Sequence, residues 1–246
     1  MQRFQDRTAI VTGGSSGIGL AIAQRLGSEG ARVVVAALGN SSIDEAVAKV
    51  KAAGAPDAIG CACDVADETA VAATVKACVD RFGRLDVIVN NAGLMTFKAL
   101  ADFTQEDWLK VLSVDLLGAV HFTRHAFDRM GAGGAIVNVA SVHAVMTTPN
   151  VAPYAAAKAA LLSLTRSTAI EGKAKGIRAN AILPGAIDTP MLWANPNLKS
   201  GAEKLDPKDV GKPEHIAGAV AFLASDDAAF VTGASLAVDG GRLAQL

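Results

Sequence analysis

Tyr154 is the only tyrosine in a chain of 246 residues, and in the stretch VAPYAAAKAA (Val151 to Ala160) Lys158 follows it at a spacing of four. On a helix, residues four apart lie on one face. The pair is therefore either polar decoration on an alanine-rich helix or an ammonium set beside a phenol for proton transfer. Only the second has chemical consequences. A free tyrosine has a pKa of about 10, so roughly one molecule in a thousand is phenolate at neutral pH. An ammonium about 5 Å away, at an effective dielectric near 20, favours the phenolate by roughly 3 kcal/mol. A phenol shifted in that direction exchanges a proton near neutral pH.

Other stretches carry chemistry of a different kind. In TGGSSGIG, Gly13, Gly17 and Gly19 open a helix after a β-branched run. Glycine lets the backbone turn tightly and approach a pyrophosphate, whose charge the free N–H groups and the positive helix end then hold. A strand before and a helix after make this a dinucleotide fingerprint. The Lys-Ser/Thr pair of a P-loop is absent, which disfavours ATP or GTP hydrolysis. NNAG (Asn90 to Gly93) ends another β-branched run, and CDV (Cys63 to Val65) a third, where Asp64 either caps a turn or accepts from an adenine amino group. His121 and His125 have the spacing of a two-ligand metal face, but no third ligand stands near them, so the expectation is a packed or interface face and no metal. Cys61, Cys63 and Cys78 are odd in number and show no CxxC spacing, which points away from disulfides and zinc and toward a reducing cytoplasm.

The elements that must position these residues alternate along the whole chain. Strands are predicted at Thr8 to Thr12, Arg32 to Ala37, Ala58 to Cys63, Leu85 to Asn90, Gly134 to Ala140, Ile177 to Leu183 and Ser235 to Asp239. Helices are predicted near Gly17 to Glu29, Ile43 to Ala53, Asp67 to Arg81, Glu106 to Met130, Pro153 to Glu171 and Pro213 to Ala224. The pattern is that of an α/β protein with a seven-stranded parallel sheet and helices on both faces, in a single domain. The segment 185–213 is too long and too rich in Pro, Gly and Asn for an ordinary connection and reads as a substrate-covering loop, with Met191, Leu192 and Trp193 either covering a pocket or pinning the loop. A formal charge of −1 and a pI near 6.4 give no footprint for nucleic acid or an anionic membrane and favour small-molecule partners. With the charged start MQRFQDR and the glycines that break the first apolar run, neither a signal peptide nor a membrane anchor is expected there.

TGGSSGIG, NNAG, ASVHA with Ser141 thirteen residues before Tyr154, PGAIDT after the sixth strand and VDGG near the end together resemble the short-chain dehydrogenase/reductase family, in motif order and spacing, from Arg7 to Gly241. The resemblance implies a doubly wound Rossmann-type domain over residues 1–246 that binds NADP or NAD. It assigns Tyr154 as catalytic acid/base, Lys158 as its partner and ribose clamp, and Ser141 as the hydroxyl that orients the substrate oxygen. It places Gly13, Ser15, Ser16, Gly17, Ile18, Gly19, Leu38, Asp64, Val65, Asn91, Ala92, Gly93, Ile187 and Thr189 at the cofactor. The implied reaction moves hydride between the nicotinamide and a secondary alcohol or ketone, in a homotetramer packed through the fourth and fifth long helices.

Two departures from the family pattern stand out. The long helix reads SVDLLG, with Asp115 where the family usually has Asn in a proton relay that reaches the lysine. A carboxylate there either strengthens the charged lysine or raises the phenol's pKa, and an altered pH profile with retained activity is expected. After the second strand, Ala37 and Leu38 stand where an acidic residue would select NAD or an arginine NADP. With Asn40, Ser41 and Ser42 as hydrogen-bond donors, the reading leans to NADP, while Ser16, where many NADP-using relatives carry a basic residue, leans against it. A rival reading is a dinucleotide-binding relative that has lost turnover. The substrate pocket is expected from Met95, Phe97, Ser141, His143, Met146 and the long loop, for a sugar or polyol, a cyclic ketone, a hydroxy acid or an acyl thioester.

Overall fold

Strand β1 (Thr8–Thr12) is buried along its whole length, and β2 (Arg32–Ala37) along all but its first residue, because both faces of these strands are covered. The computed structural model describes residues 2–201 and 203–244, without the side chains of Asn40 and Ser41. Residues 1, 202, 245 and 246 of the predicted domain span lie outside the described residues. Among the described residues the remaining strands are β3 (Ala58–Ala62), β4 (Leu85–Asn90), β5 (Met130–Val139), β6 (Arg178–Pro184) and β7 (Ser235–Val238). They form one sheet in the order β3-β2-β1-β4-β5-β6-β7, parallel at every pairing. The chain winds outward from β1 to β3, returns to β4 and winds outward again to β7, so the winding reverses between β1 and β4. At that reversal a crevice opens beyond the strand ends.

Alternation along each strand sorts the core into two layers. Ile10, Val34, Ile88 and Ile136 pack with Val71, Val75 and Cys78 of α3 (Glu68–Phe82), below the short helices α1 (Gly17–Ser28) and α2 (Asn40–Ala52) on the far side of the sheet. Val11, Val33, Val35, Val87 and Val137 face Ile22 and Leu26 of α1 and Ile43 and Val50 of α2. Each fully buried Ile or Val contributes roughly 1.5–3 kcal/mol relative to exposure. The predicted Rossmann-type doubly wound sheet in a single domain is the fold the chain adopts.

The predicted helix from Glu106 to Met130 is three pieces. Thr104 and Asp107 cap α4 (Gln105–Leu112) reciprocally, a π-helical turn follows at Ser113–Leu117, and α5 (Gly118–Phe127) completes the run. Met130 is not helical but pairs with Leu85 at the start of β5. The register then slips before Val87 pairs with Ala135, and the residues in between are expelled from the ladder. Beyond β5 come α6 (Ala152–Gly172), α7 (Pro190–Ala194), α8 (Pro196–Ser200) and α9 (Pro213–Ala224), with Pro153 and Pro213 in first turns as expected. The segment 185–213 is thus partly helical, through α7 and α8. Among the described residues no helix is long and apolar enough to cross a membrane.

Candidate active site

Thr12, the last residue of β1, fastens the two central strand ends together. Its Oγ1 accepts from the N–H groups of Asn91 and Ala92, both at 2.9 Å, and its carbonyl accepts from Asn91 Nδ2 at 2.9 Å. The following turn has to pass close by: Gly13 has φ +62°, and a Cβ there would lie 2.9 Å from Asn91 Nδ2. At Gly19 a Cβ would fall 2.2 Å from the Gly13 carbonyl oxygen. Both glycines are required by space.

A cavity of about 460 Å³ opens over these strand ends. It is lined by Gly13, Ser15, Ser16, Gly17, Ile18, Gly19, Leu38, Asp64, Val65, Asn91, Ala92, Gly93, Ile187 and Thr189, and by Ser141, Tyr154 and Lys158. Residues predicted from six separate motifs therefore share one space. Asp64 Oδ1 accepts from Ala66 N at 2.9 Å, a turn-capping bond, while its Oδ2 makes no hydrogen bond among the described residues. Leu38 is exposed at the edge, and the Ser42 hydroxyl is turned back to the carbonyls of Gly39 (3.0 Å) and Leu38 (3.3 Å). Asn40 and Ser41, the other two expected donors, have side chains outside those described.

Tyr154 and Lys158 project from the first turns of α6 and are both buried. Lys158 Nζ lies 5.5 Å from the centre of the Tyr154 ring, donates to the Val139 carbonyl at 3.0 Å and faces Asp115 Oδ2 at 3.3 Å. Asp115, on the π-helical turn, is buried behind the cavity and accepts from Leu94 N at 2.9 Å. Gly93 makes room for this arrangement, since a Cβ there would lie 2.9 Å from Asp115 Oδ2 and 3.3 Å from Lys158 Nζ. Ser141 Oγ accepts from His143 N at 3.2 Å, which leaves its own proton to donate elsewhere.

The expected lowering of the phenol's pKa is not what this arrangement gives. Burial pushes Tyr154 up; Lys158 pulls it down, Asp115 pushes it up again and the Ser141 hydroxyl draws it down, for a net rise. A phenol buried against the sheet loses its hydration, and that loss outweighs the pull of the ammonium. Burial acts to lower Lys158, but Asp115 and Tyr154 outweigh it and hold the ammonium above the ordinary lysine value. Asp115 itself is raised by burial against the pull of Lys158.

Of the expected substrate pocket, Met95, Ser141 and His143 line the cavity, as do Met191 and Leu192. Phe97 instead packs beside Val111, Val151 and Tyr154, and Met146 is exposed. Trp193 is exposed and does not line the cavity, and its Nε1 donates to Asp188 Oδ1 at 2.7 Å within the same segment. His143 Nδ1 lies 3.0 Å from Thr147 Oγ1, and its ring meets Tyr154 edge-on with centroids 5.8 Å apart. The residues that sequence reasoning missed are Glu203 and Arg242, which line the cavity from the long loop and from beyond β7. No spacing pattern joins them. His121 and His125 both face Glu68, at 3.7 and 3.1 Å, together with Arg124 at 2.9 Å.

The profile described as Enoyl-(Acyl carrier protein) reductase matches residues 13–242. A cis-4-hydroxycyclohexanecarboxylate dehydrogenase from Sinomonas cyclohexanicum is 41% identical, over 99% of each chain. A 3beta-hydroxysteroid dehydrogenase from Eggerthella lenta is 39% identical over 97% of this chain and 94% of its own. Levodione reductase superposes with a TM-score of 0.92 at 38% identity, covering 99% of this chain and all (100%) of the other. A short-chain dehydrogenase from Burkholderia cenocepacia J2315, solved in complex with NADP, superposes with a TM-score of 0.90 at 34% identity, over 97% and 98% of the two chains. With the fold, the strand-end cavity and these likenesses in agreement, the chain belongs to the short-chain dehydrogenase/reductase family of oxidoreductases.

Proposed function

We propose that the protein is an NAD(P)-dependent oxidoreductase that moves hydride between a nicotinamide and a secondary alcohol or ketone, with Tyr154 as general acid/base. The observation that carries this is the convergence of Ser141, Tyr154 and Lys158 on the cavity whose other end is the glycine turn. That turn fits a dinucleotide, because Gly13 and Gly19 leave backbone where any side chain would collide. The turn residues 13–19 would hold the pyrophosphate, Asp64 and Val65 the adenine, and Lys158 with Asn91 to Gly93 the nicotinamide ribose side. When bound, the nicotinamide supplies or accepts the hydride.

The chain's own residues do the rest. Ser141 Oγ donates to the substrate oxygen and fixes it beside Tyr154. Tyr154 Oη gives its proton to that oxygen in reduction and takes it back in oxidation. Lys158 keeps the phenolate form accessible against its burial, and Asp115 keeps Lys158 charged. The missing carboxylate beside Leu38 supports NADP as the preferred dinucleotide. Leu109 and Leu117, exposed on α4 and the π-helical turn, support packing of four copies through α4, α5 and α6. The free thiols Cys61, Cys63 and Cys78 support a reducing cytoplasm. The reading is tested by a panel of secondary alcohols and ketones, followed by nicotinamide absorbance with both cofactors. Dinucleotide uptake without turnover of any of them would instead support a binding protein.

A further inference from the structure

Two charged residues line the cavity from parts of the chain that no motif connects, and both act electrostatically on His143. Glu203 lies just beyond α8 on the long loop, and Arg242 lies just beyond β7. They form an ion pair through Arg242 Nη2 and Glu203 Oε1, with side chains 28% and 10% exposed. The second carboxylate oxygen of Glu203 accepts from Asn195 Nδ2 at 3.1 Å, and its backbone N–H donates to the Asn197 carbonyl at 2.9 Å. Glu203 is therefore held from three directions. Arg242 is not: among the described residues its guanidinium makes no other hydrogen bond, so donors remain on a side chain that borders the cavity.

We propose that Glu203 and Arg242 are specificity-determining residues, whose mutually neutralised charges select uncharged substrates carrying a second oxygen remote from the reacting carbon and reject carboxylates. The inference rests on the oxidoreductase reading of the same site. A free guanidinium N–H donates to a hydroxyl or ketone oxygen without any change in the charge of the pocket. A carboxylate would surrender its hydration to a cation already paired, and would meet the negative Glu203 within the same walls. The other cation at the cavity, Lys158, is likewise spoken for by Asp115. His143 adds no charge near neutral pH, since burial lowers its pKa, with Glu203 raising it and Arg242 lowering it.

The test uses two ketones of one shape: a cyclohexanone with a hydroxyl on the far ring carbon, and the same ring with a carboxylate there. For the wild-type protein the ratio of kcat/KM is expected to favour the hydroxyl compound by about tenfold or more. Glu203→Gln leaves Arg242 unneutralised and is expected to move the ratio toward the carboxylate by about ten- to a hundredfold. The double variant Glu203→Gln/Arg242→Gln, again without net charge, is expected to move it back. Calorimetric titration of both ketones into the protein with NADP reads the same ratio without turnover, so a failed oxidoreductase reading is told apart from a failed specificity reading. A wild-type preference for the carboxylate, a ratio that Glu203→Gln leaves in place, or binding of neither ketone overturns the proposal.

Discussion

Tyr154 is buried near a cation that favours its ionisation and an anion that opposes it. Replacing it by phenylalanine removes the exchangeable proton and keeps the ring's packing. The Tyr154→Phe variant is expected to lose about a hundred- to ten-thousandfold in kcat while still binding dinucleotide, as read by steady-state kinetics beside fluorescence titration. Asp115 raises the phenol's pKa, so removing its charge lets that pKa fall. In oxidation, where the phenolate is the active form, the acidic limb of the pH–rate curve of Asp115→Asn is expected to lie at lower pH than in the wild type. The same change takes away the partner that raises Lys158, so the ammonium gives up its proton at lower pH as well. A superimposable pH profile would remove Asp115 from the mechanism. The spacing of Tyr154 and Lys158 raised proton transfer as one of two readings, and the resemblance to the family, with its motif order, picked out these residues. The direction of the phenol's shift was not legible there, because desolvation depends on what covers a group.

At the scale of elements, the glycine turn and the π-helical turn do the positioning. Gly19 stands so close to the Gly13 carbonyl that Gly19→Ala forces the turn open. That variant is expected to bind dinucleotide at least about tenfold more weakly and to lose roughly 1–3 kcal/mol of stability, measured by titration and by denaturant unfolding. Unchanged affinity would show that the turn does not hold the pyrophosphate. The strands and most helices were legible from β-branched runs and alanine-rich periods. The run from α4 to α5 was not, since a π-helical turn has no hydrophobic signature of its own. It inserts one extra residue per turn where Asp115 must reach Leu94 N and Lys158, both contributed by distant elements. Met130 was assigned to a helix for a related reason, its strand partner Leu85 being 45 positions earlier and invisible to local pattern.

At the scale of the whole molecule, burial sets reactivity far from the site. Cys78 on α3 is fully buried in the core, and burial, with lesser pushes from Cys61 and Asp86, carries its thiol up to about 12. It is expected to resist alkylation at mildly alkaline pH in the folded protein and to label only as fast as the core opens, which mass spectrometry with and without denaturant would show. Labelling at the rate of a free thiol would refute the burial. The succession of strands and the glycine turn were legible in the sequence, because β-branched runs and tight turns are local properties that residue type and spacing encode, whereas Ser141, Tyr154 and Lys158 were named as a set only by the resemblance of their motifs to the family. Only the tertiary structure decided that Glu203 meets Arg242, that Phe97 and Met146 stay out of the cavity, and that Tyr154 is harder to ionise than its neighbour suggested. Those outcomes depend on which distant segments the sheet brings together, and on how much water their meeting excludes.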